Sequence, residues 1–198
     1  TREPGGTPLA EKIRSLLLDR ADEPVAPETE AFLVLAARRQ HVAQVIEPAL
    51  ARGSIVLCDR FIDSTLAYQG YARGLDIATL ERLNRLAAHA LMPDLTLVFD
   101  LPVSTGLARR RSAAELNRLD RESLRFHRSV RTGFLDLAKR HPTRIKVLSA
   151  RASKETVARA VARVVTPMLG HIRRGVDHNK PAASRPSPQK SQARHAIR

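Results

Sequence analysis

The residues of this sequence best suited to chemistry lie in one stretch, residues 58–70. The apolar run before it, residues 55–58, is short, partly β-branched and bounded by Gly53 and Asp59, which predicts a buried strand. Asp59 and Arg60 then follow the strand's carboxyl end, where open α/β sheets bind ligands. A carboxylate beside a guanidinium can hold a cation and an anion together. A lone Asp-Arg pair is also typical of a surface turn or a local salt bridge.

Polar side chains follow this pair at helical spacing. Ser64, Thr65, Tyr68 and Gln69 suit the first turns of a helix, and they add hydroxyl, phenol and amide groups next to the charges. A phosphate ligand with magnesium would use the carboxylate, the guanidinium and these hydrogen-bonding groups.

The elements that must position these groups alternate between strands and helices, which predicts an α/β fold with a parallel sheet. Thr7 and Pro8 mark the start of the first helix, and Pro48 is expected to break the second. The predicted strands are residues 54–58, 95–100 and 145–148, and the predicted helices are residues 8–17, 28–52, 77–91, 105–111, 122–141 and 153–169.

The composition is strongly basic. The 198 residues carry 34 Lys and Arg against 20 Asp and Glu, a formal net charge of +14 that favours polyanionic partners such as nucleotides, nucleic acid or acidic membranes. Cys58 is the one cysteine, which excludes an internal disulfide framework and is consistent with a cytoplasmic protein. No apolar run approaches the length of a membrane span, so no membrane partner is predicted.

The end of the chain differs from the rest. Residues 171–198 are rich in Pro, Ser and basic residues, with almost no apolar periodicity. Such a segment buries too little apolar surface to order itself. The sequence therefore predicts one domain, residues 1–170, and a disordered basic tail, residues 171–198, that is either a solvated extension or a nucleic-acid-binding arm.

Three stretches, in this order and spacing, resemble thymidylate kinase (dTMP kinase) of the bacterial type. They are TREPGGT at residues 1–7, Ala-Ala-Arg ending at Arg38, and Asp-Arg-Phe with Thr-Leu-Ala-Tyr-Gln-Gly at residues 59–61 and 65–70. The resemblance covers roughly residues 1–169. It implies a P-loop nucleoside-monophosphate-kinase-like α/β fold, a homodimer, and phosphoryl transfer from ATP to dTMP with Mg²⁺, giving dTDP.

The resemblance also implies roles for the matching residues. Arg38 matches an arginine that binds the dTMP phosphate, and Arg60 one that acts on the acceptor phosphate, which suits the bidentate match of guanidinium with phosphate. Asp59 is implied near Mg²⁺, directly or through water. The implied contacts around the nucleoside, its deoxyribose and its thymine are Arg2, Glu3, Pro4, Thr65, Tyr68 and Gln69.

An arginine-rich segment, residues 109–121, corresponds to the lid of the family, which brings arginines to the transferring phosphoryl group. Arg118 fits the catalytic position best, Arg111 is also implied, and Arg109 and Arg121 are further candidates. Without the other motifs, a solvated basic helix face would explain the segment equally well.

Two positions depart from the family. Val34 stands where an aromatic usually stacks on thymine, four residues before Arg38. Phe32 lies half a helical turn away and is expected to point elsewhere. Asn117 stands where an acid often precedes the lid arginine.

Phosphoryl transfer in this fold needs a Gly-rich loop, G-x-x-x-x-G-K-[ST], for the donor phosphates. No window of the sequence matches it. In the family the loop lies upstream of TREPGG, with a first strand that is central in the sheet. The chain is therefore expected to be an N-terminally truncated fragment that folds poorly alone and is inactive, because strands 54–58 and 95–100 would lack the partner between them.

Circular dichroism and thermal melting of residues 1–198 test this expectation. A broad, weakly cooperative transition is expected, because backbone groups along two strands would stay unpaired. A sharp cooperative transition would contradict it.

Two alternatives stay open at this point. One is another deoxynucleoside or nucleotide kinase of the same fold, since such enzymes also carry an Asp-Arg pair after a strand. The other is a non-catalytic basic protein that binds nucleic acid through the lid segment and the tail, although the chain lacks an aromatic stacking platform.

Overall fold

The computed structural model describes residues 1–19, 23–113 and 116–177. Its elements, in chain order, are α1 Pro8–Leu18, α2 Pro27–His41, a π-helical turn Val42–Ile46, α3 Glu47–Ala51, α4 Ile62–Thr65, a π-helical segment Leu66–Ala72, α5 Ile77–Ala87, β1 Thr96–Asp100, α6 Val103–Ala113, a 3-10 turn Leu119–Arg121, α7 Leu124–Arg140, β2 Ile145–Ser149 and α8 Lys154–Asp177.

The first helix begins as its sequence predicts. The Thr7 hydroxyl accepts a hydrogen bond from the Ala10 amide at 3.1 Å, and Pro8 occupies the first helical position. The side-chain cap satisfies one of the free amides of the first turn. Ala10 and Leu17 then bury the inner face of α1.

The long helix predicted over residues 28–52 is interrupted just before Pro48, which confirms the predicted break. Pro48 has no amide hydrogen to continue the regular pattern. The chain passes through the π-helical turn Val42–Ile46, where the Glu47 amide donates to the Val42 carbonyl, and resumes as α3.

Two of the predicted strands are present and pair with each other. β1 and β2 are parallel, with Thr96 opposite Ile145 and Asp100 opposite Ser149. In the chain, α6 and α7 separate the two strands and provide the long crossover connection that a parallel pair needs. The α/β class and the parallel sheet are thus confirmed.

The prediction of a buried strand at residues 54–58 is wrong. Ile55 is 59% exposed and Leu57 is 78% exposed. Within the described residues the segment pairs as a strand only at its end, where the Thr1 amino group donates to the Leu57 carbonyl and Arg2 lies opposite Asp59, just beyond the segment. An apolar run favours an extended chain, but a strand also needs a neighbour along its whole length.

The core next to the site is built mainly by α5, α7 and the segment Leu66–Ala72. Leu80, Leu137 and Ile145 are buried in one cluster. A Cβ at Gly133 would lie 2.8 Å from Cγ of Tyr71, so glycine lets α7 approach the 66–72 segment this closely. This packing fixes the segment that carries several predicted site residues.

The last helix extends beyond its predicted end near Leu169. α8 continues to Asp177 and contains Pro167. Residues 178–198, most of the predicted disordered tail, lie outside the described residues. Packing divides the chain into two units, residues 1–157 and 158–198, and the predicted domain bounds stay a prediction. No helix of the described part is long and apolar enough to cross a membrane.

Candidate functional site

A cleft of about 120 Å³ gathers most of the residues that the sequence singled out. Its walls come from the N-terminal loop, α1, α2, the 60–69 stretch, the 117–120 turn and α7. The predicted site residues that line it are Glu3, Pro4, Arg38, Arg60, Thr65, Tyr68 and Gln69. Arg2, Asp59, Arg111 and Arg118 are not part of this lining.

The N-terminal loop reaches the cleft by pairing with residues 57–59. The Thr1 amino group donates to the Leu57 carbonyl at 2.8 Å, and the Asp59 amide donates to the Thr1 carbonyl at 3.0 Å. The Glu3 amide donates to the Asp59 carbonyl at 2.9 Å. This short parallel contact delivers the Glu3 side chain into the interior.

Arg38 is a buried cation whose partners come from three other segments. Its side chain is 1% exposed. Its Nε donates to Glu3 Oε2 at 2.8 Å, and its Nη1 donates to Thr65 Oγ1 at 2.9 Å and to Asn84 Oδ1. Within the described residues only its Nη2 makes no hydrogen bond, so the guanidinium offers one free nitrogen to the cleft. The phosphate-binding role implied for Arg38 stays a prediction.

The second oxygen of Glu3 holds His41. Glu3 Oε1 lies 2.9 Å from His41 Nδ1, and His41 Nε2 lies 2.7 Å from Thr1 Oγ1. An ionised carboxylate only accepts hydrogen bonds, so Nδ1 carries the proton. In the neutral ring Nε2 then accepts from the Thr1 hydroxyl. Glu3 is thus a two-sided acceptor that links the loop to α2.

Arg60 lies at the mouth of the cleft in a left-handed conformation, with φ at 66°. Its guanidinium carbon lies 4.8 Å from the centre of the Tyr68 ring, and Tyr68 packs edge-on against Phe126 and Phe134. Positive φ at a non-glycine residue costs of order 1–3 kcal/mol and is typical of functional sites. Arg60 therefore presents an exposed guanidinium over the Tyr68 ring, and the phosphate-binding role implied for it stays a prediction.

Glu30 is a site residue that the sequence analysis missed. Its side chain is 1% exposed and accepts from Gln69 Nε2 at 2.8 Å, Arg73 Nη2 at 3.0 Å and Arg118 Nη2 at 2.7 Å. Burial raises the pKa of the Glu30 carboxyl, but the hydrogen bonds from Arg73, Arg118 and Gln69 outweigh burial and hold that pKa below its usual 4.5.

A sequence signal for Glu30 existed. Residues 30, 34 and 38 are four apart and share one face of α2. An acid on the same helix face as the arginine and the base-stacking position indicates a common site.

The candidate arginines of the predicted lid do not line the cleft, although Arg118 contacts two residues that do. Arg118 Nε donates to the Leu17 carbonyl at 2.9 Å, while its Nη2 pairs with Glu30. Arg111 is exposed on α6, and Arg109 donates to the Ala150 carbonyl at 3.0 Å. Part of the segment, residues 114 and 115, lies outside the described residues. The catalytic roles of Arg118 and Arg111 stay predictions.

Position 34 lacks the aromatic side chain that usually stacks on thymine in the family that the sequence resembles. Val34 lines the cleft, whereas Phe32 is 61% exposed and faces away from it, as expected. Phe61 also lines the cleft, and its ring centre lies 5.2 Å from the Arg38 guanidinium carbon. Asn117 exchanges hydrogen bonds with Asp120, which stabilises the turn at the cleft rim.

Two titratable side chains near the cleft are uncharged at neutral pH. Burial raises the pKa of the Cys58 thiol to about 12. Burial lowers the pKa of His127, whose Nε2 is buried without a hydrogen-bond partner within the described chain. Neither group supplies a charge for phosphate binding.

A second cavity, of about 220 Å³, lies at the carboxyl end of β1. Arg131 donates to both oxygens of Asp100, at 2.6 and 2.8 Å. The hydrogen bond from Arg131 lowers the pKa of the Asp100 carboxyl. Asp100 is therefore an ionised, already paired carboxylate.

Residues that could hold a metal by themselves are not found in the described parts of the chain, since no group of three or more His, Cys, Asp or Glu converges there. Asp59 is exposed beside Arg60 and makes no side-chain hydrogen bond within those parts. Mg²⁺ commonly uses one or two carboxylates together with waters and substrate phosphates. Asp59 fits that limited role.

Known proteins resemble this chain over most of its length. The sequence model of the family described as "Thymidylate kinase" matches residues 1–161. A thymidylate kinase of Pseudomonas putida (strain W619) is 51% identical over 173 residues, which are 87% of this chain and 84% of that protein. A thymidylate kinase of Thermomicrobium roseum is 55% identical over 175 residues, 88% of this chain and 82% of that protein.

A solved structure has the same fold. The crystal structure of thymidylate kinase from Ehrlichia chaffeensis matches with a TM-score of 0.68 and 34% sequence identity, covering 84% of this chain and 79% of that one. The two proteins therefore share the arrangement of their helices and strands as well as their sequence motifs.

The ionised state of Glu30 can be measured by ¹³C NMR titration of its side-chain carboxyl. The midpoint is expected below 4.5, because Arg73, Arg118 and Gln69 favour the charged form. Arg118→Met should raise the midpoint by removing one donor, while Arg85→Met, at an exposed position on α5, should leave it unchanged. Since folding lowers this pKa, the carboxylate stabilises the fold above the unfolded pKa, and that contribution is lost as the pH falls through the folded pKa. A midpoint above 4.5 would contradict the ion-pair network.

Proposed function

The chain belongs to the thymidylate kinase family of nucleoside monophosphate kinases, and we propose that it binds dTMP in the cleft as the acceptor for a phosphoryl group from ATP. The products are ADP and dTDP. The observation that carries the proposal is the convergence of Arg60, Tyr68 and Gln69 on one cleft with the buried Glu3–Arg38 pair.

The cleft has the parts that a deoxynucleoside monophosphate needs. Arg60 offers an exposed guanidinium for the phosphate. The Tyr68 ring stands where it can pack on the sugar and exclude a ribose 2′-hydroxyl, and the Gln69 amide can bind the base. Val34 lines the cleft, and we expect it to supply an apolar surface beside the base.

Catalysis in this reaction class consists of positioning and electrostatic stabilisation rather than covalent chemistry. The buried ion pairs fix the acceptor site before the ligand arrives, and the exposed Arg60 offsets phosphate charge. When bound with the nucleotide, a divalent metal, which we propose to be Mg²⁺, neutralises charge on the phosphates. Asp59 would hold that metal or one of its waters.

The decisive experiment compares dTMP with thymidine by isothermal titration calorimetry on this chain. dTMP is expected to bind more tightly, because only dTMP offers a phosphate to Arg60. Arg60→Met should reduce that preference, leaving the part that Arg38 supplies, whereas Arg128→Met, exposed on α7, should keep it. The cost of one charge-assisted contact, about 1.5–3 kcal/mol, predicts a change of roughly 10- to 100-fold.

Other outcomes separate the alternatives. Tighter binding of thymidine would favour a deoxynucleoside kinase. Binding of DNA but of neither ligand, with strong salt dependence, would favour a nucleic-acid-binding protein. An ADP-release assay with ATP, Mg²⁺ and dTMP, on this chain and on a version extended upstream with a phosphate-binding loop, then tests the transfer itself.

Val34→Phe should strengthen dTMP binding. Stacking on a base contributes roughly 1–3 kcal/mol, so the Kd is expected to fall about 5-fold or more. Calorimetry measures the change, and Phe32→Ala, at an exposed position on the same helix, serves as the control and should leave the Kd unchanged. Unchanged or weaker binding by Val34→Phe would place the base elsewhere.

A homodimer and a cytoplasmic location remain part of the proposal by family membership. Light scattering coupled to size-exclusion chromatography measures the first, and a molar mass near 21.9 kDa, that of one chain, would contradict it.

A further inference from the structure

The Gln69 side chain is held by the carboxylate of Glu30, a buried residue that lines the same cleft. Gln69 is buried, and its Nε2 donates to Glu30 Oε1 at 2.8 Å. Within the described residues this is the only hydrogen bond of the Gln69 side chain, so its Oε1 is left for the cleft that Gln69 lines. We propose that Glu30 is a positioning residue that sets base specificity, by fixing the Gln69 amide with its carbonyl oxygen toward the ligand. The inference rests on the proposed function of the cleft.

The chemistry of the pair decides the orientation of the amide. Rotating a glutamine amide by 180° exchanges its NH₂ group and its oxygen, and the two groups have nearly the same shape. An ionised carboxylate, however, only accepts hydrogen bonds. Reversing the Gln69 amide would set its oxygen against Glu30 Oε1 and leave two buried acceptors without a proton between them.

Glu30 is itself prevented from turning. Arg73 approaches both of its oxygens, with Nε 3.3 Å from Oε1 and Nη2 3.0 Å from Oε2. Arg118 Nη2 adds a contact to Oε2 at 2.7 Å. Arg73 is fixed in turn by Glu122 at 2.6 Å and by the Phe126 ring, whose centre lies 4.5 Å from the Arg73 guanidinium carbon. The carboxylate that accepts from Gln69 is therefore fixed by two cations.

A fixed carbonyl oxygen selects among pyrimidines by hydrogen-bond type. Thymine carries a donor, the N3 hydrogen, on the edge between its two carbonyl groups. Cytosine has an acceptor nitrogen at the same ring position and an amino group beside it. A Gln69 oxygen that meets the cytosine nitrogen leaves two acceptors facing each other, and a site built around a specific hydrogen bond discriminates strongly against a ligand that cannot form it.

The test uses two ligands that differ only in this respect, dTMP and 5-methyl-dCMP. Both carry the 5-methyl group, the same sugar and the same phosphate. The wild-type chain is expected to prefer dTMP, by roughly 10- to 100-fold for one unsatisfied polar pair. Glu30→Gln should reduce the ratio of the two Kd values about 10-fold, because a neutral amide can either accept from or donate to Gln69 and lets it reverse.

Glu122→Gln is the matched control. The substitution removes a carboxylate that accepts a hydrogen bond from Arg73, and Glu122 itself does not contact Gln69. Its ratio of Kd values should stay at the wild-type value, even if both ligands bind more weakly. Equal losses of affinity for both ligands in Glu30→Gln, with an unchanged ratio, would overturn the inference and leave Glu30 a merely structural residue.

Failure of the proposed function is distinguishable from failure of this inference. If the wild-type chain binds neither ligand, the function proposed for the cleft is wrong. If Glu30→Gln loses the helical circular dichroism signal, NMR of the wild-type complex with dTMP decides the orientation. Stronger nuclear Overhauser effects from the Gln69 NH₂ protons to the Glu30 side chain than to the base support the inference, and the reverse pattern overturns it.

Discussion

The buried charge of Arg38 is the constraint on which the rest of the site depends. A guanidinium inside a protein must be paired and hydrogen-bonded. Its partners are Glu3 from the N-terminal loop, Thr65 from α4 and Asn84 from α5. Removing one partner of a buried pair typically costs about 3–5 kcal/mol. One side chain therefore holds four chain segments around the cleft.

A second buried charge centre, Glu30, lies about two turns before Arg38 on the same face of α2. The signs of the charges are reversed at this centre, where the buried carboxylate of Glu30 pairs with two arginines, Arg73 and Arg118. Although the whole chain carries a net charge of +14, the cations next to the cleft are largely neutralised by carboxylates. Arg60 remains exposed at the mouth of the cleft. Of the arginines that line the cleft, Arg14 and Arg60 make no salt bridge within the described residues, so they carry the charge available to a ligand.

These pairs also connect the site to the lid. Arg118 bonds the Leu17 carbonyl of α1 and the Glu30 carboxylate of α2 through a single side chain. The 117–120 turn is therefore attached to the cleft wall through Arg118. Release of Arg118 toward a phosphate would leave Glu30 with Arg73 and Gln69 as its partners. The buried ion pairs thus organise the cleft without a ligand.

The sequence by itself determined most local elements and many of the residues that line the cleft. Thr7 and Pro8 start α1 through cap chemistry, and apolar runs of strand length produce β1 and β2, because these signals act within a few residues. The motifs around Asp59 and Arg38 also identified the family. How the chain pairs over long distances was decided only by the tertiary structure. Residues 54–58 have the composition of a strand but lack a partner along their length, and Glu30 meets Arg118 from 88 residues away. Composition and periodicity report on a residue's own preferences, whereas burial and ion pairing depend on which distant segment packs against it.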